Sequence, residues 1–515
     1  MFRKSFKVLS KLLAIALIMS VFAGAAVAEE AKPEGWGEET LEITVAVMTG
    51  FTQQGSEIQK MLEDRYNVKF NLVVLPGWSD GQSKINLLMA DESQRPDVMW
   101  WWGMDKEFKQ WTDAGLLADL TEYWVKYPNI REYFDKFSPI SPFYFANESG
   151  STFRVGDVAE PCCMTLMIRQ DWMDKLGLEQ PKTIDELREV MRAFTFNDPD
   201  GNGQNDTFGL HGANEYRSLQ PFFAAFESIP DQFVRVGDEV KYGAALPETK
   251  AALAYIADMY KEGLIDPDIT IKDFNYDEAF VRGGHGLVYR WIALLNPGVS
   301  MLQSFEGANP GGKWSSIAPV TGPTGYSSDR VEEPGAWCYF AITDKAKDPE
   351  RIFAIFDDLV TPEMFQLTAY GVKDRDYTYE DGIYTNTLTE DDNLANNIGR
   401  GLFSNFVARK DESLLENTPE VAKAFADGAV GSQPDRDRIV FFKNAERPIW
   451  NSHKADMDAM RDEYLWGIIA GQRPIDDFDK FVELFYANGG AEIEAEATAY
   501  AAEQEIAYQQ YLEAK

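Results

Sequence analysis

Residues Leu41 to Val47 alternate apolar and polar side chains, a period of two that predicts a first β-strand. A short amphipathic helix is expected over Ile58 to Tyr66, and a second strand over Val68 to Leu75. A second helix is expected over Ile85 to Ala90. The apolar run Asp97 to Trp102, after Pro96, fits a buried third strand. Strand, helix, strand, helix, strand implies βαβ units and a parallel sheet. The stretch 138–156 is rich in Ser, Pro, Asn and Gly and reads as a linker.

The pattern restarts beyond it. Met164 to Arg169 predicts a strand, and Trp172 to Leu176 a helix that Gly177 stops. Thr183-Ile184-Asp185-Glu186 has the form of a capping box, in which hydroxyl and carboxylate satisfy free amides at a helix start. Ile184, Leu187, Val190, Met191 and Phe194 then mark one buried face. Further strands are expected at His285 to Ile292 and Trp337 to Ile342, with a helix over Pro349 to Leu359. The part from Thr361 onwards reads as mainly helical, and no internal repeat is visible. The fold class is α/β in two lobes with a helical C-terminal portion. The expected division is 40–150 plus 292–360 for the N-terminal lobe and 151–291 plus 361–515 for the C-terminal lobe.

Length agrees with two lobes, since 515 residues exceed what one core of roughly 250–300 residues accommodates. The N-terminus changes the picture more. Arg3, Lys4, Lys7 and Lys11 form a basic start, Leu12 to Ala23 is a short apolar run, and Ala26-Val27-Ala28 is a small-x-small cleavage site. This is the form of a signal peptide over residues 1–28, too short to span a membrane. No Cys stands at the cleavage site, so a free periplasmic or secreted protein is expected. Without those 28 residues, 45 basic residues face 84 acidic ones, a balance of −39. That sign disfavours nucleic acid as a partner. Cys162, Cys163 and Cys338 permit one disulfide, but their spacing does not predict it; small buried thiols are the other reading.

Two motifs carry candidate chemistry. Asp198-Pro199-Asp200-Gly201-Asn202-Gly203-Gln204-Asn205-Asp206 places oxygen side chains at loop positions one, three, five and nine. Gly203 supplies the turn at position six, and Gln204 offers its backbone carbonyl at seven. This spacing curls oxygens around one point, as calcium requires. Position twelve is Gly209 rather than a bidentate Glu, and the alternative is a polar turn without metal. The expected ligands are Asp198, Asp200, Asn202, Gln204 and Asp206, around a structural ion. Gly77-Trp78-Ser79-Asp80-Gly81 fits a nucleophile elbow between strand and helix. A serine hydrolase also needs a histidine, and only His211, His285 and His453 are available, none in a recognisable setting. A secreted serine hydrolase or other carbohydrate-active enzyme is the alternative function.

The aromatics are the third feature. Met99-Trp100-Trp101-Trp102 follows a strand, where the carboxyl edge of an α/β sheet meets a ligand crevice. Flat rings stack on the C–H faces of sugars, while Asp, Asn and Arg fix hydroxyls. The candidate ligand contacts are Trp78, Trp100, Trp101, Trp291, Trp337, Trp450 and Arg290. For any single Trp, a place in the core is an equal alternative. No catalytic constellation stands out, so a binder rather than a catalyst is expected.

Several long strings point the same way. They are Ile85-Asn86-Leu87-Leu88-Met89-Ala90, Arg95-Pro96-Asp97-Val98, and Met167 to Leu178. Tyr260-Lys261-Glu262-Gly263-Leu264-Ile265-Asp266-Pro267 and Gly467 to Glu483 complete the set. Together they resemble the family 1 extracellular solute-binding proteins of ATP-binding-cassette importers, in the branch that takes up oligosaccharides. The resemblance implies a type II Venus-flytrap fold whose hinge the chain crosses several times. It implies capture of a small solute by lobe closure, delivery to permease subunits and no catalysis, with a monomer expected. It also implies a stacking role for Trp291, and the aspartate-rich loop resembles the calcium loop of some members.

Overall fold

The computed structural model describes residues 36–48, 53–76, 78–147, 149–156, 164–272, 275–295, 299–328, 338–380, 383–404, 406, 424, 427, 435, 438–443 and 447–514. The expected signal peptide, and Cys162 and Cys163, lie outside them. Among the described residues, no helix is long and apolar enough to cross a membrane.

The first elements follow the alternation of the sequence: β1 (Leu41–Met48), α1 (Glu57–Tyr66), β2 (Val68–Leu75), α2 (Trp78–Ala90) and β3 (Val98–Trp102). β1 lies between β2 and β3 and runs parallel to both. α1 starts where the Ser56 hydroxyl accepts the amide of Gln59, and it buries Ile58 and Leu62, one turn apart. Its end is the left-handed Asn67, a residue type that tolerates that conformation. A short helix, α3 (Ser141–Phe145), and the two-residue strand β4 (Val155–Gly156) complete the first passage.

The second passage carries β5 (Met164–Arg169), α4 (Ile184–Phe196), β6 (Phe208–His211), β7 (Phe233–Val236), β8 (Glu239–Tyr242), α5 (Pro247–Glu262), α6 (Tyr276–Arg282), β9 (His285–Trp291) and β10 (Trp314–Ile317). The expected capping box forms, with Thr183 and Glu186 each accepting the other's amide. All five residues of the predicted face of α4 are buried. A four-stranded sheet has the order β10-β5-β9-β6. β7 and β8 make a hairpin around Gly237-Asp238, where Gly237 adopts φ 63°. Gly followed by Asp between two apolar runs is a two-residue turn signal; it marks this hairpin, which the alternation alone did not predict.

The chain then returns to the first lobe with β11 (Cys338–Ile342) and α7 (Pro349–Leu359), and ends in the second with α8 (Pro448–Ile469), α9 (Asp477–Ala487) and α10 (Gly490–Ala514). β11 joins antiparallel to β3, giving the first sheet the order β2-β1-β3-β11-β4.

Two large hydrophobic cores, with two smaller clusters, form among the described residues. The first runs from Ile43 to Phe406, the second from Met164 to Ala501. This corrects the expected lobe boundaries twice. β10 pairs with β5, Trp314 opposite Arg169, so the segment around it belongs to the second lobe rather than the first. Met364, Ile398, Leu402, Phe403 and Phe406 pack in the first core rather than the second. Pairing between distant strands leaves no local signal, which is why the boundaries slipped.

The two lobes touch through α3 and α10. The Phe143 ring lies 5.1 Å from that of Tyr508 and 5.7 Å from that of Tyr511. The Tyr144 hydroxyl donates to the Phe441 carbonyl at 3.2 Å and accepts from the Gln504 amide at 3.2 Å. Lys443 donates to the Asn147 carbonyl at 3.3 Å.

Candidate ligand site and cation loop

In open α/β sheets, ligands bind beyond the carboxyl ends of the parallel strands. On the first sheet that edge is where β1, β2 and β3 end. Trp100 and Trp101 do not reach it. Both are buried, with Trp101 stacked against Phe108 and Tyr339 and edge-on to Trp111 at 5.5 Å. A strand covered on both faces buries consecutive side chains, so the alternation sends one Trp into each layer. These two candidates are therefore corrected to core residues.

The last residue of the strand escapes. Trp102 is only partly buried and packs 5.4 Å from Trp100, ring centre to ring centre. Its carbonyl accepts from Gln82 at 3.2 Å. Gly81 lies beneath its ring, where a Cβ would collide with the ring and stand 2.9 Å from the Pro76 carbonyl. The candidates Trp100 and Trp101 are the first two of the three consecutive Trp residues. Strand position was the usable signal, since only a terminal residue sits at the sheet edge.

On the second sheet the matching edge belongs to β6 and β9, which run parallel. Trp291 ends β9 and is 43% exposed. Arg290 points to the other side of the strand, where its guanidinium lies over Tyr276 at 4.3 Å and pairs with Asp277 at 2.7 Å. Trp450 is corrected to the second core. It is buried, edge-on to Phe233 at 5.0 Å and 5.6 Å from Tyr242. Trp78 opens α2, but its side chain, that of Ser79, and the whole of Trp337 lie outside the described residues.

The aspartate-rich loop follows α4 as an exposed turn. Asp198 adopts φ 47°, and its carboxylate accepts the Gly203 amide at 3.1 Å. The Asn202 side-chain amide donates to Asp200 at 2.8 Å and to both oxygens of Asp206 at 3.1 and 3.3 Å. Gln204 donates its backbone amide to the Asn202 side-chain oxygen at 2.7 Å. Burial, then contact with Asp198 and the charge of Asp206, pushes the Asp200 carboxyl above its ordinary value. The carboxylates of Asp200 and Asp206 thus converge on the Asn202 side-chain amide.

The elbow motif acquires a different explanation. Gly81 is required by the Trp102 ring and the Pro76 carbonyl. The histidines all stand on second-lobe elements. His211 and His285 close on Asp266, and the ring of His453 meets the Ile449 carbonyl at 2.8 Å.

Comparison with known proteins decides the family. The profile of the bacterial extracellular solute-binding proteins matches residues 49–364, more than half of the chain. The chain belongs to that family. A curated relative of this solute-binding protein, lipoprotein LipO of Bacillus subtilis, is 24% identical, over 94% of this chain and 96% of LipO. The polygalacturonan/rhamnogalacturonan-binding protein YtcQ of the same organism is 26% identical, over 64% of this chain and 66% of YtcQ. Among solved structures, an EF-hand mutant of the substrate-binding protein FusA of S. pneumoniae, in complex with fructo-nystose, superposes with a TM-score of 0.65. It covers 93% of this chain and all of FusA at 20% identity, which establishes the two-lobed fold.

Proposed function

We propose that this solute-binding protein captures an oligosaccharide between its lobes and delivers it to the permease of an ABC importer. The observation that carries this is the exposed indole of Trp291 at the carboxyl edge of the second sheet, in a chain of this family. An indole exposed at a sheet edge supplies a flat stacking face for a sugar ring. Trp102 is its counterpart on the first lobe. Trp78 and Trp337 remain candidates by their position along the chain. Arg290 contributes indirectly, its pairing with Asp277 fixing the end of β9.

Sugar-binding relatives and a superposable fructan complex support the ligand class. Contacts made by both lobes at once shift the open–closed population towards closure. Binding rather than catalysis fits the histidines, which are engaged within the second lobe. The protein acts as an exported monomer, outside the cytoplasm, with the signal peptide removed.

The aspartate-rich loop binds a structural calcium ion. Asp198, Asp200, Asn202, Asp206 and the Gln204 carbonyl would hold it, with Asn202 turning its oxygen inward. The FusA structure with an altered EF-hand supports a loop of this kind in the family.

The test is thermal unfolding of the protein with calcium against pooled neutral oligosaccharides, acidic oligosaccharides and peptides. A ligand that binds only the folded state stabilises by about 2.7 kcal/mol at a hundredfold excess over Kd. A rise in Tm with one sugar pool, and recovery of that sugar intact, is the expected result. A rise with peptides alone overturns the sugar assignment, and a cleaved product overturns the binder.

A further inference from the structure

The sequence contains three histidines, and the fold brings two of them together in the interior. His211 ends β6 and His285 opens β9, and their rings stack at 4.2 Å with 23° between planes. Asp266 reaches between them from the segment that leaves α5. Its Oδ2 lies 2.7 Å from His285 Nε2 and 3.3 Å from His211 Nδ1. All three side chains are buried. The segment carrying Asp266 is itself fixed, since the Asp266 amide donates to the Leu210 carbonyl at 2.9 Å and the Leu210 amide to Leu264 at 3.0 Å.

We propose that His211, Asp266 and His285 form a binding site for one divalent transition-metal ion of the zinc type, separate from the aspartate-rich loop. Their ligand atoms lie within 4.8 Å of one another, and among the described residues this is the one group of three or more such side chains so placed. Zinc bonds of about 2.0–2.1 Å to nitrogen and oxygen set neighbouring ligand atoms between three and four ångströms apart, on the order of what is present. Metal binding would replace the hydrogen bond between Asp266 and His285 and turn the two imidazoles out of their stacked arrangement, so that both ring planes meet at the ion.

The donor set is also selective. Two imidazoles and one carboxylate suit zinc, cobalt or nickel, whereas calcium asks for six to eight oxygens. The loop and the histidine cluster should thus divide hard and borderline cations between them. No fourth ligand-type side chain joins the cluster among the described residues, so water completes a tetrahedron. The three ligands come from β6, β9 and the segment after α5. An ion here ties together the strands whose carboxyl ends form the second-lobe edge of the site.

The experiment uses the intact, untagged chain, stripped of metal and then returned to excess calcium. Cobalt(II) is titrated first and zinc second. The expected result is one equivalent of cobalt with the visible absorption of a tetrahedral centre, displaced by zinc, and a rise in Tm that saturates at one equivalent. Asp266→Asn and His285→Gln should abolish both signals, and Asp206→Ala in the loop should leave them. If those two variants do not fold, His211→Gln and the wild-type titration decide the matter. No cobalt absorption and no Tm shift in the wild type, or signals that survive in His285→Gln, overturn the proposal and leave the cluster as a hydrogen-bonded clamp. Sugar binding is not part of the readout, so the result stands apart from the ligand assignment.

Discussion

Gly81 fits under the ring of Trp102, in a space too small for a single added methyl. The contact joins the first turn of α2 to the end of β3. It fixes the one Trp of the run Trp100-Trp101-Trp102 that reaches the sheet edge.

Gly81→Ala should therefore move Trp102. Overpacking of this kind costs about 1–3 kcal/mol. The expected outcome is a lower denaturant midpoint together with weaker oligosaccharide binding. Unchanged values of both would show that the ring accommodates the methyl without moving.

Trp291 and Trp101 should separate binding from stability. Trp101→Ala empties a fully buried site and should cost about 3–5 kcal/mol in chemical denaturation. Trp291→Ala should cost much less stability than Trp101→Ala, because the indole is 43% exposed rather than enclosed. It should weaken sugar binding about tenfold or more, on the order of 1.4 kcal/mol. A titration that finds normal affinity in Trp291→Ala would remove that residue from the site.

Calcium should raise the Tm of the wild type, and a chelator should reverse the rise. In Asp206→Ala the shift should disappear, because Asn202 and Asp200 lose the carboxylate that faces them. Differential scanning calorimetry with and without calcium checks this. Equal shifts in wild type and variant would place the ion elsewhere.

Glu262 gives a prediction in pH. Arg192 and Arg188 hold its carboxylate at about 2, against an ordinary 4.5. A depressed value in the fold contributes stability that is complete above pH 4.5 and lost as pH falls towards about 2. Glu262→Gln should be less stable than wild type near neutrality. The gap should narrow through that window and close below it, as read from urea midpoints at stepped pH. A constant gap would mean that packing, not charge, sets the difference.

Much of this was legible in the sequence because it is local. The alternation in Leu41 to Val47 and Val68 to Leu75 marked true strands, and Thr183 with Glu186 marked a true helix start. What escaped depends on distance along the chain. β10 belongs to the second lobe because it pairs with β5, and Phe403 to the first because it packs on Phe70 and Phe356. The Trp run was recognisable as unusual, but whether an indole faces core or edge depends on what covers the sheet. His211, Asp266 and His285 carry no spacing signal at all. They meet because β6 and β9 are neighbours and the segment after α5 lies alongside β6.

The interleaved cores set the order in which this protein can come into being. The first core needs β1 and also Phe403 and Phe406; the second needs β5 and also Ile493, Ala497 and Ala501. During synthesis neither core can be completed from its own first passage, because the closing residues are made hundreds of residues later. Contacts of such long sequence separation are formed slowly. The first lobe can thus close only once Phe403 and Phe406 have been made, and the second only when α10 emerges. Folding can finish only when the last helix arrives.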